Sequence, residues 1–282
     1  MEPNTLKMPH TFRAAAVGAC IYCGVRAQPL SEEHVIPKGL GGTLVLPSAS
    51  CATCAMLTSQ FEMRVLRGFM DKGRQALGIK SRKSHKRAYE ATNAQALIQA
   101  DGTIQRFDVP TEESIRVLHL PVLALPYFLD HDRPPTPETK HINVDAIETL
   151  TFGLDNSDLI GRNQAVGARF EDEVDLWAFV RMLAKIAHGY HVAMRGVFPM
   201  EESPLVPIIM GERVDAQNWV GCTKQQDALP DGRSALHLLQ EDVLTGADGS
   251  KCSTVRIKLF AGQPTCTYVL ATRLTLAEPQ NA

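Results

Sequence analysis

The 282-residue chain predicts an α+β protein in two parts: a small metal-stapled module over residues 1–90, then a larger α+β domain over residues 91–282. The second part is expected to be an antiparallel sheet with one long amphipathic helix. Three observations carry this expectation. Two CxxC pairs, Cys20/Cys23 and Cys51/Cys54, sit close together near the N-terminus. A helix-period apolar pattern later in the chain is followed by strand-like runs punctuated by Gly, Asp and Pro. Charge is also divided unevenly, with a net of +7 over residues 1–90 and −9 over residues 91–282 inside a total of −2. That asymmetry points to a polyanion partner for the N-terminal part alone.

The first element is the cysteine staple. Each CxxC turn presents two sulfurs to one tetrahedral ion, and two such pairs around one insert favour a structural zinc site over a redox dithiol. The 27 residues between the pairs exceed the spacing of a simple zinc ribbon, so an inserted element must fit between the two turns. Within that insert stands SEEHVIPKGLGG, Ser31 to Gly42. From about Ala52 to Arg67 the chain reads as a helix, with Met56, Phe61, Val65 and Leu66 on an apolar side and Glu62 and Arg64 polar. Gly68 and Gly73 mark where it turns.

A basic run follows. From Arg64 to Arg87 there are nine Lys/Arg residues against the single acid Asp71, a composition suited to neutralising phosphates without reading sequence. The division between the two parts is placed after this run, at residue 90. Beyond it, QALIQADGTIQRFDV has two apolar-rich stretches around Ala100-Asp101-Gly102, which predicts a β-hairpin. EDEVDLWAFVRMLAKIAHGYHVAM then places Leu176, Phe179, Val180, Leu183, Ile186, Ala187 and Tyr190 at helical spacing, predicting a long helix. Its polar residues Arg181, Lys185, His188 and His191 read as the margin of a core helix and are given no role. SALHLLQEDV, STVRIKLFAG and TCTYVLATRLTL have strand composition. Cys222, Cys252 and Cys266 read as small core residues. The most hydrophobic stretch, LHLPVLALPYFL, is interrupted by Pro121 and Pro126, so no membrane span is expected, and the absence of a secretory signal places the protein in the cytoplasm.

CIYCG, SEEHVIPKGLGG and LPSASCATCAMLTSQFE together resemble the HNH endonucleases, whose ββα-metal, treble-clef-like core is a β-hairpin followed by a helix. Glu33, His34, Ile36, Pro37, Gly41 and Gly42 match that family's order over about residues 18–70, and FVRMLAKIAHGYHVA resembles the C-terminal part of bacterial proteins that carry an HNH module. The resemblance implies a metal-dependent nuclease acting on phosphodiester bonds of DNA. His34 would be the general base, a role suited to a side chain whose ordinary pKa lies near neutrality. Glu33 would hold a catalytic divalent cation, Mg2+ or another, and Cys20, Cys23, Cys51 and Cys54 a structural Zn2+. Lys38, Arg64, Arg67, Lys72, Arg74, Arg82 and Lys83 would lie along the nucleic acid.

The sequence departs from the family where the helix usually adds His or Asn after the last cysteine: that position is Ala55, and Ser59 stands four residues on. Glu62, or else Thr58, shares that helix face and is the expected second metal ligand, with Glu62 preferred. The middle asparagine of the family is also missing, with Thr43 or Ser48 as partial substitutes. Two other readings remain beside the nuclease: a non-catalytic, zinc-stabilised module that binds DNA or RNA, and an interaction or sensor protein in which the acidic domain is the functional part. The C-terminal domain would serve a homodimer contact or a regulatory partner.

Overall fold

The structure, a computed structural model, describes residues 11–79, 92–110, 113–130, 134–135, 140–153, 158–231, 235–245 and 250–275. In chain order the strands and helices are β1 (Phe12–Arg13), β2 (Leu30–His34), β3 (Leu44–Cys51), α1 (Ala52–Arg67), α2 (Asp71–Ala76), β4 (Thr92–Gln99), β5 (Ile104–Pro110), β6 (Arg116–Leu123) and β7 (Val144–Phe152). They continue with α3 (Asp158–Arg162), β8 (Ala165–Arg169), α4 (Leu176–Arg195), α5 (Leu205–Met210), β9 (Val220–Cys222), β10 (His237–Thr245), β11 (Lys251–Leu259) and β12 (Tyr268–Thr275). The chain is mixed α+β, with several small and mostly antiparallel sheets. Its residues divide into two compact units. The first comprises Met1–Glu62, Val122–Ala146 and Leu176–Ala282, and the second Met63–Pro121 with Ile147–Asp175. Residue 90 lies outside the described residues.

In the first unit, β3 is the central strand of the order β1-β3-β2. β2 pairs with it antiparallel, His34 opposite Val45 and Leu30 opposite Cys51, with an irregularity between Ser31 and Glu33. On β3 this is the Pro47-Ser48-Ala49 bulge, where Ser48 adopts φ 51, a left-handed conformation tolerated at bulges. The bulge turns its carbonyls outward: Pro47, Ser48 and Ala49 accept from the N–H groups of Val17, Gly18 and Ile21, which fastens the first CxxC turn to β3. After β2 the chain makes a single 3-10 turn, Lys38–Leu40, closed by Gly41 at φ 82. A Cβ on Gly42 would lie 1.9 Å from the Ile36 carbonyl oxygen, so only glycine lets the turn fold back this closely.

The rest of that unit is an antiparallel sheet of order β10-β11-β12-β9, covered by α4. α4 is apolar nearly all round: Phe179, Met182, Leu183, Ala184, Ile186 and Ala187 are fully buried, and Phe179 meets Tyr268 of β12 edge-on at 5.5 Å. Helices of this kind form from core burial more than from propensity. Lys185, His188 and His191, read from the sequence as the polar margin of a core helix, are themselves buried within it.

The second unit carries the three-stranded sheet β5-β4-β8. The expected hairpin is present: Gln99 and Thr103 close its turn, Gly102 takes φ 82, and Asp101 Oδ1 accepts from the Thr103 N–H at 2.9 Å. One face of the sheet packs Leu97 and Val109 with Ile115 and Leu159 into a small core. β6 and β7 form a separate two-stranded sheet.

Candidate functional site

The four cysteines come together. Cys20 and Cys23 sit on the turn fixed by the Cys20 N–H to Val25 carbonyl bond, Cys51 ends β3, and Cys54 lies in the first turn of α1. Their Sγ atoms all lie within 4.8 Å of one another, close enough to hold one metal ion. The Cys23 and Cys51 sulfurs are 3.8 Å apart. Burial alone would raise the Cys51 thiol, but the Cys54 N–H at the helix start and the neighbouring thiols outweigh it and bring it down to about 7. Burial pushes Cys54 and Cys23 up. A metal bound here would displace the thiol protons.

Beside this cage β2 ends in Glu33 and His34, whose side chains point to opposite faces as strand geometry requires. Glu33 is buried and His34 half-buried. Glu33 turns inward to meet Glu62 from α1, and between the two carboxylates lies the ammonium of Lys185 from α4. Lys185 Nζ stands 2.7 Å from Glu33 Oε1 and 2.6 Å from Glu62 Oε1, and donates to the backbone carbonyl of His34 at 2.6 Å. The lysine side chain is 1 % exposed. Burial by itself would lower its pKa, yet Glu33 and Glu62 outweigh that and push it up to about 12. Glu62 is raised, burial outweighing the opposing pull of Lys185. Tyr22, inside the first CxxC turn, is held well above its ordinary value by burial and then by the charges of Glu33, Glu62 and Cys20.

The same face of α4 continues the contact. His188 Nε2 donates to the Ile21 carbonyl at 2.6 Å, a Cβ at Gly189 would touch Val35, and the Arg181 guanidinium lies 4.7 Å from the Phe61 ring centre. From the C-terminal sheet, His237 Nε2 donates to the Leu40 carbonyl at 2.8 Å while its Nδ1 accepts from the Phe260 N–H. Burial lowers both His188 and His237 to about 4. The His34 imidazole is also lowered, by burial first and then by Lys185 and Lys38 against Glu32 and Glu33, so it is neutral at pH 7.

Of the expected nucleic-acid residues, Lys38 and Arg67 are exposed. Arg64 faces Asp175 at 3.6 Å and Lys72 faces Asp172 at 3.2 Å, both keeping half or more of their side-chain surface exposed. Arg74 is different: its side chain is buried against Asp71 at 2.6 Å, a position that keeps it from meeting a duplex. Arg82 and Lys83 lie outside the described residues. On α1, Thr58 donates to the Ala55 carbonyl at 3.2 Å and Ser59 to the Met56 carbonyl at 2.8 Å, so these hydroxyls are turned to their own helix. Sequence reasoning missed Lys185, whose two acidic partners lie in a distant part of the chain.

Neither a family model nor any curated protein or solved structure matches the chain. Among the described residues, no helix is long and apolar enough to cross a membrane.

Proposed function

We propose that this chain is a zinc-stapled DNA-binding protein whose N-terminal module is of the HNH type. The observation that carries the reading is the four-cysteine cage joining the two turns of a hairpin-and-helix unit, β2, β3 and α1, with Glu33 and His34 at its strand end. Zinc is the ion that suits four thiolates, and a tetrahedral zinc with bonds of about 2.3 Å sets its sulfurs about 3.8 Å apart. Lys38, Arg64, Arg67 and Lys72 supply exposed positive charge for phosphates. Hydrolysis is not part of this reading, because Glu33 and Glu62 are both committed to Lys185. The neutral His34 then serves as a hydrogen-bonding partner beside Lys38.

The test is fluorescence anisotropy of a labelled duplex with the zinc-loaded full chain at increasing salt. Affinity is expected to fall linearly on logarithmic axes, and Lys38→Ala with Arg67→Ala should weaken binding on all sequences and lower the slope by about 2. Salt-independent binding, or none at low salt, would overturn the proposal in favour of an interaction protein. Arg74→Gln should change stability and leave the salt slope where it is.

A further inference from the structure

The resemblance to HNH enzymes implies a divalent cation on Glu33 and Glu62. Those carboxylates do converge, but on an ammonium. We propose that Lys185 is the resident cation of this site, standing where a divalent ion would have to bind, so that the module engages nucleic acid without metal-dependent hydrolysis. The inference rests on the HNH reading of Glu33 and Glu62, while its readout, metal uptake, is independent of DNA binding.

The fit is one of charge and distance. A lysine ammonium only donates, and Nζ has three oxygens around it at 2.6 to 2.7 Å: the carbonyl of His34, to which it donates, and one oxygen from each carboxylate, the contact with Glu62 Oε1 being an ion pair without hydrogen-bond alignment. Magnesium needs shorter, octahedral oxygen contacts and keeps several waters. There is no room for such a shell around a side chain that is 1 % exposed. An ion entering beside Lys185 would also meet its charge at close range in a buried site, where like charges are screened least.

Among the described residues, the α1 face where the HNH pattern places its further ligand supplies none beyond Glu62. Ala55 has no ligand atom, and the Thr58 and Ser59 hydroxyls face their own helix carbonyls. Lys185 itself is anchored on both sides: Ala184, Ile186 and Ala187 are fully buried, and the helix face that carries it is pinned at Ile21 by His188. The site therefore already holds one positive charge against its two carboxylates, where a cation would otherwise stand.

The experiment titrates manganese(II) into the zinc-loaded full chain, following free manganese by paramagnetic resonance and the melting temperature in parallel. The parent is expected to take up no manganese that depends on Glu62, and its melting temperature should not respond. Lys185→Ala should bind a single manganese ion at least about tenfold more tightly than the parent, with a melting temperature that rises on addition, and adding Glu62→Gln to it should abolish both effects. Manganese uptake by the parent that Glu62→Gln removes would overturn the proposal. So would a folded Lys185→Ala protein that takes up none. Should Lys185→Ala fail to fold, the parent and its Glu62→Gln variant decide the matter by themselves. Loss of DNA binding in these proteins would strike the function proposed above and leave the metal result standing.

Discussion

Lys185 shows what one buried charge demands of its surroundings. Removing one member of a buried ion cluster leaves the others desolvated and unpaired, at a typical cost of about 3–5 kcal/mol, whereas replacing the whole cluster by neutral groups of similar shape is often near neutral. Lys185→Met should therefore lower stability in urea by about that amount, and Lys185→Met combined with Glu33→Gln and Glu62→Gln should recover much of it. The pH dependence has a definite sign. Because folding raises the lysine from 10.5 to about 12, its contribution is full below pH 10.5 and is lost as pH rises through about 12. That shift corresponds to about 2 kcal/mol, read as the difference in urea midpoint between the parent and the neutral triple variant across that window. The pairing was not legible because the partners lie far apart along the chain, the contact with His34 spanning 151 residues. A signal existed nonetheless: in a helix apolar on nearly every side, a charge in the middle turn must be buried and must have a partner.

Among the elements, α1 was legible in extent, since its apolar spacing runs to Leu66 and Gly68 follows shortly after. α4 and the three late strands were also legible, because each carries its own period and its own breaks. The bulge at Pro47-Ser48-Ala49 was not: its cause is the three N–H groups that approach from Val17, Gly18 and Ile21, none of which leaves a mark on β3 itself. The paired glycines behind β2 have a steric reason. Gly42→Ala would drive a methyl into the Ile36 carbonyl and should cost about 2 kcal/mol or more, visible as a lower urea midpoint. Leu183→Ala in α4, where the side chain is fully buried, should cost about 2–5 kcal/mol by the same measurement.

For the whole molecule the informative fact is that the first unit draws on three separate stretches of chain. The cysteine module is not closed on itself: its Glu33, Ile21 and Leu40 are completed by Lys185, His188 and His237. An isolated fragment of residues 1–90 should thus bind a metal through its cysteines yet lack a cooperative thermal transition; a sharp melt with dispersed NMR signals would refute this. The two histidines also make the fold acid-sensitive. Both are lowered from 6.5 to about 4 in the folded protein, so their contribution is full above pH 6.5 and is lost as pH falls through about 4. At about 3 kcal/mol each, unfolding free energy should decline steadily from pH 6.5 to 4, and His237→Gln should flatten that decline.

The distance between Lys185 and its carboxylates has a consequence for how the chain is made. Emerging from the ribosome, both cysteine pairs, Glu33 and Glu62 leave the tunnel long before the helix that carries Lys185. Contacts of such high sequence separation form late. Throughout translation of the middle of the chain Glu33 on β2 and Glu62 on α1 lack their buried partner, and the first unit closes only after α4 and the C-terminal strands have emerged.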